Sequence, residues 1–221
     1  MIRRLLVLAT ITLAITFAAV PKASADTCPT GNYGQYFITG FSCQINNLNF
    51  SNFSFTPGGT IPTTPASIGV TPITTLGNEG FNFNPAILVF GGFTSQDVAL
   101  DFDVTGLNGH LLTDLSLSFN GGATGTGFTS FSETVMGASF PGGPTIGLTN
   151  PPPNTSASVN FTTPVNSIHV VKDIGAQSGS FGTGSISQVI NQFSNVPEPA
   201  TVALLGIGLT GLLAFSVRRK S

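Results

Sequence analysis

Residues 97 to 105 read Asp-Val-Ala-Leu-Asp-Phe-Asp-Val-Thr. Apolar side chains stand at every second position, Val98, Leu100, Phe102 and Val104, with Asp97, Ala99, Asp101, Asp103 and Thr105 between them. Only an extended strand sorts that pattern onto two faces, one to bury and one to wet. The same period returns at Leu115, Leu117 and Phe119, where Gly121-Gly122 is expected to turn the chain, and again in "GFTSFSETV". Leu48 and Phe50 alternate, then Phe53 and Phe55. The phase slips by one at Ser51-Asn52, which predicts a bulge or bend. "FNFNPAILVFGG" reads as two short strands broken at Pro85, and "ASVNFTTPVNSIHVVKDIG" as two more around Pro164. Residues 57–80 read as a long connection with a short strand inside it, and "PGGPTIGLTNPPPN" as a rigid loop. Ile186, Val189, Ile190 and Phe193 follow helical spacing, but Ser-Ile-Ser and the flanking glycines favour a strand with a bulge. Many short strands with frequent turn signals predict an all-β, jelly-roll-like β-sandwich without a substantial helix.

Both ends differ from this body. Arg3 and Arg4 precede an apolar stretch from Leu5 to Val20, followed by Ala23-Ser24-Ala25. That order predicts a secretory signal peptide over 1–25, recognised at Ala23 and Ala25 and cut after Ala25. At the other end, residues 200–217 carry no charge; as a helix they would cover about 27 Å, roughly a hydrocarbon core. Arg218, Arg219 and Lys220 follow at once, and basic flanks of a membrane helix stay cytoplasmic. Val196-Pro197-Glu198-Pro199 lies between body and apolar run, and its prolines favour an extended, accessible segment. The predicted organisation is a signal peptide over 1–25, an exported domain over 26–195 and a terminal segment over 196–221.

Pro197-Glu198-Pro199, then the apolar run 200–217, then Arg218-Arg219-Lys220 resembles the PEP-CTERM sorting signal of Gram-negative bacteria. The resemblance covers about the last twenty-five residues. It implies that the chain is the substrate of an exosortase, a membrane-embedded cysteine protease that cuts near the Pro-Glu-Pro. The precursor would be anchored in the inner membrane and the mature form found at the cell surface or outside. Such proteins are commonly associated with exopolysaccharide and biofilm. The stretches "FSCQINNLNFSNFSF" and "VVKDIGAQSGSFGTGSIS" look similar, more loosely, to segments of other secreted proteins of this kind, without any catalytic residue attached.

Between Asp26 and Val196, Lys172 is the one basic residue, against Asp26, Glu79, Asp97, Asp101, Asp103, Asp114, Glu133 and Asp173. An acidic body without a basic patch has no electrostatic footprint for nucleic acid. Cys28 and Cys43 are the only cysteines, and export to an oxidising space predicts a disulfide between them.

Catalytic signals are sparse. His110 is expected in a turn and His169 on an outward strand position. No Gly-x-Ser-x-Gly elbow is present, and "GGATGTGFTS" lacks the lysine of a phosphate loop. Asp101 and Asp103 share a strand face and could begin a calcium site, although a solvated face that discourages edge pairing is the plainer reading. No cofactor and no catalytic residue is expected. The leading reading is therefore a non-enzymatic structural or interaction protein of the extracellular matrix. The first alternative is a carbohydrate-binding sandwich with extracellular polysaccharide as partner, which would be marked by an exposed aromatic patch, Tyr33 and Tyr36 included. A glycan-active enzyme comes third and would need two convergent carboxylates among Asp97, Asp101, Asp103, Asp114 and Glu133.

Overall fold

Alternation along each strand becomes two antiparallel layers with one apolar interior. The computed structural model describes residues 26–137, 145–151 and 153–197. The signal-peptide reading with Ala23 and Ala25 falls outside the described residues. So do Glu198, Pro199, the apolar run 200–217, Arg218, Arg219 and Lys220. Among the described residues no helix is long and apolar enough to cross a membrane.

Thirteen strands are described: β1 (Gly31–Asn32), β2 (Ser42–Ile45), β3 (Leu48–Gly59), β4 (Gly69–Ile73), β5 (Asn78–Asn84), β6 (Ile87–Phe90), β7 (Ser95–Gly106), β8 (His110–Thr124), β9 (Phe128–Met136), β10 (Thr145–Asn150), β11 (Ser156–Val165), β12 (Ser167–Gln177) and β13 (Thr183–Pro197). One sheet runs β1-β4-β5-β13-β8-β11, with β6 also paired to β13. The other runs β10-β9-β12-β7-β3-β2. A single helical turn, α1 (Tyr33–Tyr36), follows β1 and buries both tyrosines. Burial raises the pKa of each tyrosine, and Tyr33 donates its hydroxyl to the carbonyls of Ser54 and Asp101.

The predicted inward set of β7, Val98, Leu100, Phe102 and Val104, is fully buried. Leu115, Leu117 and Phe119 of β8 are buried as well. The phase slip in β3 is a register shift between Ser51 and Ser54, with Asn52 at φ 55. In β13 a shift between Ile186 and Gln188 puts Ile186 and Val189 on the same buried side. That bulge mimics helical spacing, because one extra residue turns a separation of three into one face.

Three expectations are corrected. Gly121-Gly122 does not turn the chain. β8 runs on to Thr124, and the turn falls where Gly125 adopts φ +58. Residues 145–150 are not loop but the edge strand β10, paired to β9 and burying Leu148. Pro164 does not separate two strands. It lies within β11, an edge strand paired only to β8, where a missing N–H costs no ladder bond; the break comes at Asn166.

The layers meet on aromatic rings. Phe102 of β7 packs with Phe50 and Phe53 of β3, and across the interior with Phe81 and Phe83 of β5 and Phe193 of β13. The ring centroids are 5.7–6.3 Å apart, the range of productive aromatic pairs. Cys28 and Cys43 form the expected disulfide, with Cα atoms 4.8 Å apart. Phe102→Ala should cost about 3–5 kcal/mol in denaturant unfolding. A loss under about 1 kcal/mol would mean that this ring is not what joins the layers.

Candidate functional site

The outer face of the β9-β12-β7-β3 sheet is mostly Ser, Thr, Asn, Gly and Asp, with Ala99, Val171, His169 and Met136 among them, because each of these strands spends its alternate positions there. Its deepest part lies around Asp97. Antiparallel register sets Asp97 opposite Gly58 on one side and Gly175 on the other. A Cβ at Gly58 would come to 2.9 Å from Asp97 Oδ2, and one at Gly175 to 3.0 Å from Oδ1. The two glycines therefore leave the room in which this carboxyl lies down against the sheet. The result is an open groove of about 280 Å³ lined by Ser95, Gln96, Asp97, Ser130, Asp173 and Gln177 among others.

In this groove the Asp97 carboxyl is pushed up to about 6 from the ordinary 3.8. Burial is the main cause, and Asp173 adds to it through a hydrogen bond and like-charge repulsion. The backbone N–H of Val98 acts in the opposite direction. A like charge beside a carboxyl disfavours its ionised form, as partial burial does. Asp173 was not among the sequence candidates; only the β7–β12 register brings it beside Asp97.

The other candidate acids do not join them. Asp101 accepts from Ser54 Oγ at 2.7 Å. Asp103 accepts from Asn52 Nδ2 at 2.6 Å and pairs with His169 Nδ1 at 2.7 Å. Among the described residues no group of three or more His, Cys, Asp or Glu comes together to hold a metal ion. Asp114 lies on the opposite sheet, accepting from Ser194 Oγ at 2.7 Å. Glu133 faces the interior, fully buried against Lys172.

Lys172, read from the sequence only as the single basic residue of the body, is an interior residue. Its Nζ atom hydrogen-bonds Glu133 Oε2 and lies 5.2, 5.7 and 6.0 Å from the ring centres of Phe102, Phe131 and Phe83. Asn191 of β13, also fully buried, donates Nδ2 to Glu133 Oε1 at 3.1 Å. Desolvation lowers the Lys172 pKa and raises that of Glu133, with each partner's charge opposing the shift of the other. Nothing in "HVVKDIG" distinguishes an inward lysine from an outward one except its phase with Val170 and Ile174.

At the end of the sandwich where β13 finishes, Glu79 is buried and accepts from Asn46 Nδ2 and Gly77 N, each at 3.1 Å, and from Asn195 Nδ2. Asn195 Oδ1 in turn meets His110 Nδ1 at 2.8 Å. This network clamps β13 two residues before Pro197. At the opposite end Phe90, Phe93 and Phe181 stand 61, 75 and 76 % exposed. Their loops are joined by Gly91 N donating to Gly182 O and Phe93 N to Gly179 O. Tyr33 and Tyr36 take no part in this or any other exposed patch.

The sequence model of the PEP-CTERM protein-sorting motif matches residues 195–220. No protein of curated function matches the chain. Among solved structures, a carbohydrate-binding module, TmCBM61 in complex with β-1,4-galactotriose, aligns at 11 % identity over 62 % of this chain and 86 % of its own, with a TM-score of 0.29. The enzymatically active domain of tailspike protein 4 from bacteriophage CBA120 aligns at 18 % identity and a TM-score of 0.28, over 66 % of this chain but only 20 % of the tailspike chain. Endoglucanase 3 of Trichoderma harzianum, from family GH12, aligns at 7 % identity over 65 % of this chain and 99 % of its own, with a TM-score of 0.25. Likeness at these scores carries no argument about ligand or activity.

Because the folded Asp97 holds its proton up to about pH 6 and an unfolded carboxyl releases it near 3.8, the folded state binds more protons between these values. Its contribution to stability is therefore present at low pH and lost as pH rises through that window. Asp97→Asn should flatten the dependence of unfolding stability on pH between about 4 and 6. An unchanged profile would mean that folding does not raise the Asp97 pKa.

Proposed function

We propose that the chain is an exported protein delivered by an exosortase. A signal peptide takes it across the cytoplasmic membrane. The apolar run 200–217 holds it there, with Arg218, Arg219 and Lys220 inside. Cleavage near Pro197-Glu198-Pro199 frees or transfers the β domain to the cell exterior. The domain acts there as a structural or interaction component of a matrix linked to exopolysaccharide, and the chain is a substrate rather than an enzyme. The observation that carries this reading is the sorting-motif match over 195–220, which overlaps the end of β13 at Asn195, Val196 and Pro197. The cut would then fall at the edge of the folded domain, with no linker between them.

Intact mass of the protein recovered from outside the native host tests this. The mass should correspond to a chain that begins at Asp26 and ends near Pro197–Pro199, plus any transferred group. A mass that retains residues 200–221 would replace the sorting reading with a permanently anchored protein.

A second reading, a carbohydrate-binding module, is favoured by the exposed Phe90, Phe93 and Phe181. Aromatic faces left open in this way can stack on the apolar faces of sugar rings. Following β13 at about 3.3 Å per residue, this tip stands about 46 Å from Pro197, clear of the anchoring end. If the tip binds glycan, the Phe93→Ser/Phe181→Ser double variant should lose retardation in gels containing the host's own exopolysaccharide while keeping the wild-type melting temperature. Equal retardation of both proteins would remove this reading.

A further inference from the structure

Lys172, Glu133 and Asn191 meet inside the sandwich, all three fully buried. They come from β12, β9 and β13, so the cluster spans both sheets. One carboxyl bridges the other two head groups, taking the Lys172 amine at Oε2 and the Asn191 carboxamide at Oε1. The Asn191 Oδ1 atom is buried and without a hydrogen-bond partner, an uncompensated polar atom in an apolar interior. The surroundings are the rings of Phe83, Phe102 and Phe131. An amine, a carboxamide and a carboxyl held together away from water are the parts of an intramolecular amide-forming reaction.

We propose that Lys172 and Asn191 become joined by a covalent amide bond, with Glu133 as the proton-transferring catalyst. Burial favours the neutral amine of Lys172 over its ammonium form and the protonated carboxyl of Glu133 over its carboxylate. A neutral amine has a free electron pair. That pair attacks Cγ of Asn191, and the carbonyl π electrons move to Oδ1, which takes the Glu133 proton. The Glu133 carboxylate then removes a proton from the attached nitrogen. As the carbonyl reforms, the Oδ1 proton returns through Glu133 and the departing Nδ2 is protonated. The Cγ–Nδ2 bond breaks and ammonia leaves. One C–N bond has formed and one has broken, Glu133 ends as it began, and no oxidant or cofactor is consumed. Proximity supplies the driving advantage, since fixed partners in a dry site react as a unimolecular pair. The product staples the sheet that holds β12 to the sheet that holds β13. It also removes a buried ionisable amine from the core, the carbonyl of Asn191 remaining as that of the new amide. The inference stands on these three side chains and does not depend on the sorting reading.

The full chain, purified and reduced, tests this by intact mass and by proteolysis. The mass should be lower by one ammonia than the sequence requires. Lys172 is the only Lys or Arg between Asp26 and Pro197. Trypsin acting on the unfolded protein should therefore leave this body in one piece, since an acylated lysine is not cut. Chymotryptic mapping should give a branched peptide joining Lys172 to Asn191. Glu133→Gln should restore the full mass and the tryptic cut, and Asn191→Asp should still cross-link, with loss of water instead of ammonia. A wild-type chain of full mass that trypsin cuts at Lys172 overturns the proposal without requiring any variant to fold. So does an ammonia loss mapped to a peptide lacking Lys172, or a water loss mapped to a Lys172–Glu133 link.

Discussion

Lys172 and Glu133 stand opposite each other on β12 and β9, withdrawn from solvent in an interior dominated by phenylalanine, valine, leucine and isoleucine. Burying two ionisable groups costs several kcal/mol for each charge, and their mutual attraction offsets this only with good geometry and further hydrogen bonds. Here the offsets are visible. Both carboxyl oxygens are engaged, and three aromatic faces surround the amine. The arrangement tolerates no slip. A one-residue shift of β12 would turn Lys172 outward together with Val170 and Ile174, leave Glu133 alone in the core, and turn Asp173 into the apolar layer. The pair therefore fixes the registers of β9 and β12, and Asn191 extends that requirement to β13 in the other sheet.

Much of the fold was legible because period-two alternation is a local property. β7 could be read residue by residue, and so could the inward side of β8 and the bulges in β3 and β13. What failed was local as well, but needed knowledge of neighbours. Pro164 reads as a breaker until β11 is known to be an edge. Gly121-Gly122 reads as a turn until Gly121 is seen lying against the ring of Phe119, where a Cβ would come to 2.3 Å. Thr145–Asn150 sits among prolines and glycines that hid a strand with two apolar side chains, Ile146 and Leu148. The sites were less legible still. Asp97 with Asp173, and Lys172 with Glu133 and Asn191, are separated in sequence and meet only through strand pairing and layer packing. The disulfide was readable because a chain read from its ends as exported, with two cysteines, leaves one pairing.

The outer face shows how a body with few charged residues, nearly all of them acidic, stays polar. Its Asp residues are spread along β7 and β12 and tied to Ser54, Asn52 and His169. Asp97 is the exception, half withdrawn between two glycines, its pKa raised by burial and by the neighbouring Asp173. Substituting alanine for Gly58 or Gly175 would push this carboxyl out towards water, so the depressed floor of the groove and the raised pKa share one cause. The edges are protected by other means. Pro164 sits in β11, and β10 runs directly into Pro151 and Pro153, neither of which can donate to a ladder.

β13 is at once the last described strand and a central one. It pairs with β8 along its whole length and with β5 and β6 on its other side. Its end at Pro197 is where the sorting motif leaves the domain. Any pull on the chain at that point, whether from a membrane-held helix or from a transfer reaction, acts along a strand bonded on both sides. Two ladders must then shear together, whereas a terminal strand at a sheet edge would peel away one bond at a time. Asn195 adds a hold to Glu79 near the exit, and Asn191 adds one to Glu133 deeper in. A domain that is handled by its C-terminus gains most from placing that terminus on its best-anchored strand. A load at Pro197 meets the Asn195–Glu79 contact within its own sheet first, and the inter-sheet contact of Asn191 with Glu133 behind it.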